Sequence, residues 1–394
     1  VLFTFHTLPT TSPGKFYNVN CVTNMAKSDI NNDSRIILTL DAGGTNLVFS
    51  AIQGNKEIVQ PRNYSTNASD LDKCLHTIIE GFREVYKLIP HKAAAISFAF
   101  PGPADYRNGI IGDLPNFPAF KGGVALGPML MDEFEIPVFI NNDGNLFAYG
   151  EALCGFLPEL NARIISSGGI KQFKNLIGLT IGTGFGCGVV IDKMMLLGDN
   201  SNDTGIHQTL NKFNPQWNAE ESVSTRAIQR VYAQHSGHQF LSQLMPKDIF
   251  DIAMGEQEGN VDAAKEAFRQ FGEALGSSIA NIVALIDGVV VIGGGIAAAW
   301  PLYAPAMFKE INRQYKSWEE TLFNRLDFEV YNLEEMSVFP DFALGRVRKI
   351  RVPYSNREIQ YDECARVGIG LSKLGASKAI ALGAYAYALQ QLDS

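Results

Sequence analysis

The sequence predicts an α/β fold of two lobes related by a duplication of architecture. Two observations predict it. Twice the chain opens a unit with an apolar strand, a glycine turn and a returning strand, at residues 36–52 and 176–192, then continues in strand and helix segments. At 394 residues, with 46% hydrophobic and 19% charged side chains, the chain can bury a sizeable core and is not a disordered polymer.

The elements follow in order. Residues 1–33 lack sustained periodicity, and Pro9, Pro13 and Gly14 with runs of Ser, Thr and Asn predict an irregular or disordered tail. Met25 begins Met-Ala-Lys-Ser-Asp, so the functional chain is expected to start near it, with residues 1–24 an upstream extension or a disordered tail. Strand 36–40 runs into Asp41-Ala42-Gly43-Gly44-Thr45-Asn46, strand 47–52 returns, and 56–64 pairs as a third. Leu71, Leu75, Ile78, Ile79, Phe82, Val85 and Tyr86 hold helical spacing over 69–88. A buried strand at 93–100 ends in Pro101-Gly102-Pro103, a helix covers 124–134, and strand 138–140 ends in Asn141-Asn142-Asp143 before a helix at 145–155.

The second unit starts with strand 176–181, glycines from Gly182 to Gly188, and a return at 189–192. Helices follow at 220–234, 246–254 and 260–285, then a strand at 289–292, three glycines, and a closing helix at 376–392. Residues 319–373 break the rhythm and read as an insertion. Within it, Arg346-Val347-Arg348-Lys349-Ile350-Arg351 reads as a solvated strand face, with a partner or nucleic-acid contact as the alternative. The expected division is a tail at 1–33, a smaller lobe of 34–142 plus 378–394, and a larger lobe of 143–377.

Charge and cysteine content narrow the classes. With 33 basic and 41 acidic residues the net charge is −8, which argues against a whole-surface grip on nucleic acid. Cys21, Cys74, Cys154, Cys187 and Cys364 are scattered without C-x-x-C spacing, so neither a disulfide framework nor a cysteine zinc site is written. No basic segment followed by an apolar core marks the N-terminus, and a cytoplasmic protein is expected. The apolar stretch 279–300 contains Asn281, Asp287 and Gly288; an Asp inside a membrane helix costs about 2.5–3.5 kcal/mol, so helix, turn and strand are predicted instead.

Glycine is 37 of 394 residues, above the usual share of about 7%, and gathers at strand ends. In Asp41 to Asn46, glycines let backbone N–H groups approach phosphate oxygens, and an Asp at a strand end suits Mg²⁺ or its water shell. An ordinary hairpin is the alternative. Gly182-Thr183-Gly184 repeats the device, and two such turns facing each other suit a triphosphate. Gly293-Gly294-Gly295-Ile296-Ala297-Ala298 formally fits a dinucleotide fingerprint, but no acidic residue lies at the required spacing of about 20 residues. A strand-to-helix turn admitting adenine or ribose fits better. Neither G-x-x-x-x-G-K-[ST] nor G-x-S-x-G occurs. Asp143, at the end of a predicted parallel strand, suits a general base for a hydroxyl, or else caps the next helix.

Together these motifs resemble the ROK family (repressor, open reading frame, kinase) of sugar kinases. The residues that carry the resemblance are Asp41-Ala42-Gly43-Gly44-Thr45, Pro101-Gly102-Pro103, Asn142-Asp143-Gly144-Asn145 with Gly150-Glu151, the run from Gly182 to Gly188, Gly293-Gly294-Gly295, and Leu374-Gly375-Ala376-Ser377 with Ala381-Leu382-Gly383-Ala384. The resemblance implies a two-lobed actin/hexokinase-like (ribonuclease H-like) duplicated fold with a central cleft. It implies phosphorylation of a hexose or N-acetylhexosamine, glucose-like and at the 6-hydroxyl, with ATP and Mg²⁺ and closure of the lobes on the sugar. Asp41 is implied at the metal and phosphates, with Gly43, Gly44, Thr45, Asn46, Gly182, Thr183 and Gly184 around the nucleotide and Gly294 and Gly295 near its nucleoside. Asp143 is implied as general base, with Gly102, Asn116, Asn142, His207 and Glu220 on the sugar.

Departures from the family pattern are equally legible. Where the family has Glu-Ile-Gly-His, this chain reads Asp203-Thr204-Gly205-Ile206-His207, so Thr204 replaces the Glu unless Asp203 stands in by a one-residue shift. Residues 208–219 contain no cysteine, so the family's structural zinc is not expected. Glu220 with Ser224 matches the family's next segment, Glu221 being the close rival. A homodimer is expected, without nucleic-acid or membrane partners. Three rivals stand beside the kinase: a sugar-responsive transcription regulator, for which residues 1–40 show no pair of periodic helices, a degenerate kinase that binds sugar without turnover, and an actin- or chaperone-like ATPase.

Overall fold

The computed structural model describes residues 30–43, 46–114, 117–202, 204–237 and 239–394. Two sheets organise them. The first holds β1 (Ile37–Ala42), β2 (Asn46–Gln53), β3 (Lys56–Glu57) and β4 (Arg62–Ser65). Helix α1 (Leu71–Leu88) follows, then β5 (Ala95–Ala99), a small ribbon of β6 (Ala104–Asp105) and β7 (Ile110–Ile111), α2 (Leu126–Phe134) and β8 (Val138–Asn141). The sheet order is β3-β2-β1-β5-β8, with β4 also on β2; β1, β5 and β8 run parallel.

The second sheet repeats this plan. After α3 (Asp143–Leu153) and α4 (Phe156–Ser166) come β9 (Leu176–Ile181), β10 (Phe185–Ile191) and β11 (Met194–Met195). Helices α5 (Thr225–Ser236), α6 (Pro246–Met254) and α7 (Val261–Ile286) lead to β12 (Val289–Gly293) and α8 (Trp300–Ile311). A hairpin of β13 (Gln314–Lys316) and β14 (Leu322–Asn324) precedes β15 (Glu329–Asn332) and α9 (Phe339–Leu344). A second hairpin, β16 (Val347–Arg351) and β17 (Glu358–Asp362), leads to β18 (Arg366–Leu371) and α10 (Ala376–Leu392). The order is β11-β10-β9-β12-β18-β15, again an antiparallel hairpin followed by parallel strands. Within 319–373, β15 and β18 are therefore integral strands, while the basic run lies on the exposed β16.

Local chemistry explains the elements. Asp70 caps α1 by accepting the Lys73 N–H at 3.1 Å, and Cys74, Ile78, Phe82 and Val85 form one buried stripe on its face. That stripe meets Phe49 of β2 and Phe98 of β5 in a cluster of ring contacts. Strands β1, β5, β9 and β12 are buried almost throughout, as parallel strands covered on both faces must be. Two helices were not bounded by sequence. Gly155 reads as the end of α3, yet α4 begins at the next residue and places Pro158 in its first turn, where a missing N–H costs nothing. Helix α8 carries Pro305 in its interior, which masks its periodicity.

The two sheets meet through a pair of helices. Helix α3 lies on β9 and β10, while α10 lies on β1 and β5, and the two helices pack along each other. They touch backbone to backbone at Gly150 and Gly383. A Cβ on Gly383 would sit 3.0 Å from the Gly150 nitrogen and would overlap the Leu146 carbonyl oxygen. Glu151, buried one residue on, accepts the Phe156 N–H at 2.8 Å and the Ser372 hydroxyl, fastening this junction to the end of β18. At the start of the described chain, Ile30 packs against α10, and Arg35 bonds to Asp33 and Asp393. The expected start at Met25 lies outside the described residues. Among those described, no helix is long and apolar enough to cross a membrane.

A buried ion cluster ties α7, α8 and Lys212 together in the second lobe. Glu310, 6% exposed, meets Arg325 at 2.6 Å and Lys212 at 2.7 Å, and Arg325 also bonds to the Ser277 carbonyl and Asn281. Glu310→Ala leaves the Arg325 guanidinium buried without its counter-charge. The expected cost is about 3–5 kcal/mol, read as a lowered urea midpoint with unchanged slope.

Candidate active site

The C-terminal ends of the parallel strands in the first sheet form one wall. Asp41 on β1 is in register with Ala99 on β5, which is in register with Asn141 on β8. Asp41 and Asn141 thus stand two strand spacings apart, roughly 10 Å. Gly102 follows β5 and is exposed, beside the Tyr106 hydroxyl, which donates to the Phe100 carbonyl at 2.9 Å. Gly43 closes the β1–β2 turn with its N–H on the Asn46 carbonyl at 2.9 Å, and the Thr66 hydroxyl holds the Gly43 carbonyl at 2.6 Å. Gly44, Thr45 and Asn116, all expected at the site, lie outside the described residues, as does Asp203, the alternative to Thr204.

Asn142 and Asp143 divide the duties between them. Asn142 caps α3, its Oδ1 accepting the Gly144 N–H at 2.8 Å, which leaves Asp143 in the first helical turn rather than at the cap. The Asn142 amide nitrogen keeps its donors for another partner. The Asp143 carboxylate is open to solvent on one side but crowded by packed atoms on the others. Its pKa is raised, first by that burial and further by the Asp41 carboxylate, against the lowering effect of the Gly144 N–H and its own. The Asp41 carboxylate is thus near enough for its charge to act on Asp143.

The second sheet packs on α3, the helix that Asp143 opens, and carries the other glycine turns. Between β9 and β10, the Gly182 N–H donates to the Gly184 carbonyl at 3.0 Å, and Thr183 is exposed at the tip. Thr225, at the start of α5, holds the Gly182 carbonyl with its N–H at 2.8 Å and its hydroxyl at 3.0 Å. Gly294 sits at φ +99° against Ile181, so only glycine fits there. Gly186 and Gly188 have a different purpose: Gly186 lies against the Thr180 side chain of β9, and Gly188 lies under α3, where a Cβ would sit 2.7 Å from the Asn145 Cα. The alternating glycines are thus part turn and part packing surface.

Glu220 reaches this turn. Its Oε2 accepts the Phe185 N–H at 3.0 Å and its Oε1 takes Arg226 at 2.9 Å, while Glu221 bonds Arg226 and Arg230. Each Glu220 oxygen retains a further lone pair. His207 is half-buried on a short turn, Ile206–Gln208, that packs on β10 and on the Ala219–Glu221 turn. Thr204 has a buried hydroxyl with no hydrogen-bond partner among the described residues. Thr66 and Thr225 were not singled out from sequence, although Ser224-Thr225 before a helical stretch is a recognisable start signal.

The arrangement fits a nucleotide and a divalent cation. Gly182 and Gly295 face open space, since a Cβ on either would meet nothing within 4 Å. Their backbone can approach phosphate or ribose closely. Among the described residues no group of three or more metal-binding side chains gathers. Asp41 and Asp143 are hard oxygen donors, and Mg²⁺ is characteristically held by one or two carboxylates together with phosphates and water.

Comparison with known proteins places the chain. The ROK family model matches residues 37–328. This chain belongs to the ROK family. A crystal structure of glucokinase from Parabacteroides distasonis ATCC 8503 is 52% identical, with a TM-score of 0.83, covering 92% of this chain and 99% of that one. N-acetyl-D-glucosamine kinase of Photobacterium profundum is 27% identical over 282 residues, 67% of this chain and 85% of that protein. Glucokinase of Thermotoga maritima is 24% identical over 292 residues, 70% of this ROK chain and 87% of that protein. The ROK architecture that the motifs implied, two α/β lobes of actin/hexokinase-like type, is the architecture of this molecule.

Proposed function

We propose that the protein is an ATP-dependent sugar kinase that phosphorylates a glucose-like hexose at its 6-hydroxyl. The observation that carries this reading is the acidic pair at the strand ends of the first sheet, Asp41 with the crowded Asp143, together with the open glycine turns at Gly182 and Gly295 on the second. The 52% identity to a glucokinase over nearly the whole chain supports glucose as the substrate.

Asp143 accepts the proton of the attacking hydroxyl as its oxygen bonds to the terminal phosphorus of ATP and the bond to the ADP oxygen breaks. Mg²⁺, held by Asp41 and phosphates, supplies charge neutralisation when bound. Backbone N–H groups of the Gly182–Gly184 turn stabilise negative charge on the phosphoryl oxygens, so no basic surface is required and the net charge of −8 presents no obstacle. Gly102, Asn142, His207 and Glu220 orient the sugar, with Asn142 offering its amide donors. Closure of the lobes excludes water, which would otherwise compete as acceptor.

A second reading, an N-acetylhexosamine kinase, is favoured by the N-acetyl-D-glucosamine kinase relative. A coupled ADP-release assay across glucose, mannose, N-acetylglucosamine and N-acetylmannosamine decides between them. Glucose is expected to give the highest kcat/KM. A higher value with an N-acetylated sugar transfers the conclusion to the second reading, and no sugar-dependent release sinks both.

A further inference from the structure

One side chain joins three stretches of residues 209–222. Asn211 is 5% exposed. Its Nδ2 donates to the Asn218 carbonyl at 2.8 Å and to the Ser222 hydroxyl oxygen at 2.9 Å. Its Oδ1 accepts the N–H groups of Phe213 at 2.9 Å and Asn214 at 3.2 Å. Its own N–H donates to the Trp217 carbonyl at 3.2 Å. One amide thereby joins three stretches of loop and has both ends satisfied, which no apolar or singly polar side chain reproduces.

The bonds continue from there toward the active site. Asn218 caps the N–H of Glu221 at 3.2 Å, which shapes the Ala219–Glu221 turn. From that turn Glu220 reaches the Phe185 N–H, immediately after Gly184. At the other end of the loop, the Ala219 N–H donates to the Thr209 carbonyl at 2.8 Å, and the Thr209 hydroxyl donates to the Ile206 carbonyl at 2.7 Å. The turn that carries His207 is tied into the same unit.

We propose that Asn211 is a positioning residue for the second glycine turn. It fixes 218–222 so that Glu220 grips Phe185 and holds Gly182-Thr183-Gly184 in its phosphate-facing shape. Asn211 itself touches no substrate. The purpose of the grip rests on the kinase reading, while the mechanical link from Asn211 to Phe185 does not.

Amide hydrogen exchange at Phe185 tests the link directly, read by mass spectrometry with fragmentation of peptides covering 182–190 in the full chain. Asn211→Ala is expected to speed exchange at Phe185 at least tenfold, as is Glu220→Ala. The double variant is expected to exchange no faster than Glu220→Ala alone, because both changes break one chain of contacts. Asn211→Asp, which keeps the acceptor and loses the donors, falls between. Faster exchange confined to 209–222, with Phe185 at the wild-type rate, overturns the proposal. Should Asn211→Ala fail to fold, Ser222→Ala removes one partner of the amide and is expected to shift Phe185 in the same direction; a wild-type rate there also overturns it.

Kinetics supply the second readout. Asn211→Ala is expected to lower kcat/KM for ATP at least tenfold with a thermal midpoint within a few degrees of wild type; a lowered midpoint with unchanged kcat/KM marks a merely structural residue. A wild-type protein without sugar-dependent ADP release removes the kinase reading, and the exchange at Phe185 still decides the role of Asn211.

Discussion

Asp143→Asn is expected to fold normally and to lose about 10²–10⁴-fold in turnover, the usual worth of a positioned acid–base group. The amide cannot take the hydroxyl proton, yet it fills the same volume in the first turn of α3. Stability should move the other way from activity. The Asp143 pKa is raised in the folded protein, so the fold binds a proton there more readily than the unfolded chain does. Stability from this group therefore falls as pH climbs from the ordinary Asp value through the raised one, and the cost persists at neutral pH. Removing the charge removes that cost, and the variant is expected to melt at or above the wild-type temperature near pH 7. The same shift governs the wild-type pH profile. Catalysis needs the carboxylate, so the acid limb of kcat/KM should lie above the range of an unperturbed Asp. Near-wild-type turnover in Asp143→Asn would remove the residue from the mechanism.

Gly383→Val is expected to be strongly destabilising. Helix propensity alone favours replacing a helical glycine, by up to about 1 kcal/mol for Ala and less for a β-branched residue. The packing opposes it, because any Cβ here overlaps the Leu146 carbonyl oxygen and meets the Gly150 nitrogen at 3.0 Å. Both are backbone atoms of α3, and no rotamer change relieves the overlap. Overpacking typically costs about 1–3 kcal/mol where side chains can adjust, so a rigid backbone contact should reach or exceed the top of that range. Urea unfolding measures it: a midpoint lowered by less than the equivalent of 1 kcal/mol would show that the helices separate freely. Gly150→Val should behave alike, and the two should not add, since either one already forces the helices apart.

Much of this was legible in the chain. Strand β9, helix α6 and helix α10 occur at their predicted bounds, because each pairs a strong apolar pattern with clear stop signals. Asp41 and Asp143 were readable as acidic residues at the ends of apolar strands. Other features were hidden for physical reasons. Gly184, Gly186 and Gly188 look alike in sequence, but which glycine faces the turn and which lies under α3 depends on a helix 40 residues earlier in the chain. The partners of Glu220 come from β10 and α5, so a motif match alone did not reveal that its carboxylate braces Phe185. Asn211 carries no local signal at all. An asparagine in a polar loop is ordinary, and only the four polar atoms converging on its amide set it apart.

The crossing of α3 and α10 also sets a lever ratio. Asp143 opens α3 and Gly150 lies seven residues along it, about 10 Å at 1.5 Å per residue. Rotation of α3 about that contact, perpendicular to its axis, carries the carboxylate through about 0.2 Å per degree. A hydrogen bond tolerates only a few tenths of an ångström. Two or three degrees at the fulcrum therefore decide whether the base is in or out of reach. A contact between two bare backbones, with no side chain to compress, has little give, and that stiffness lets so short an arm keep its aim.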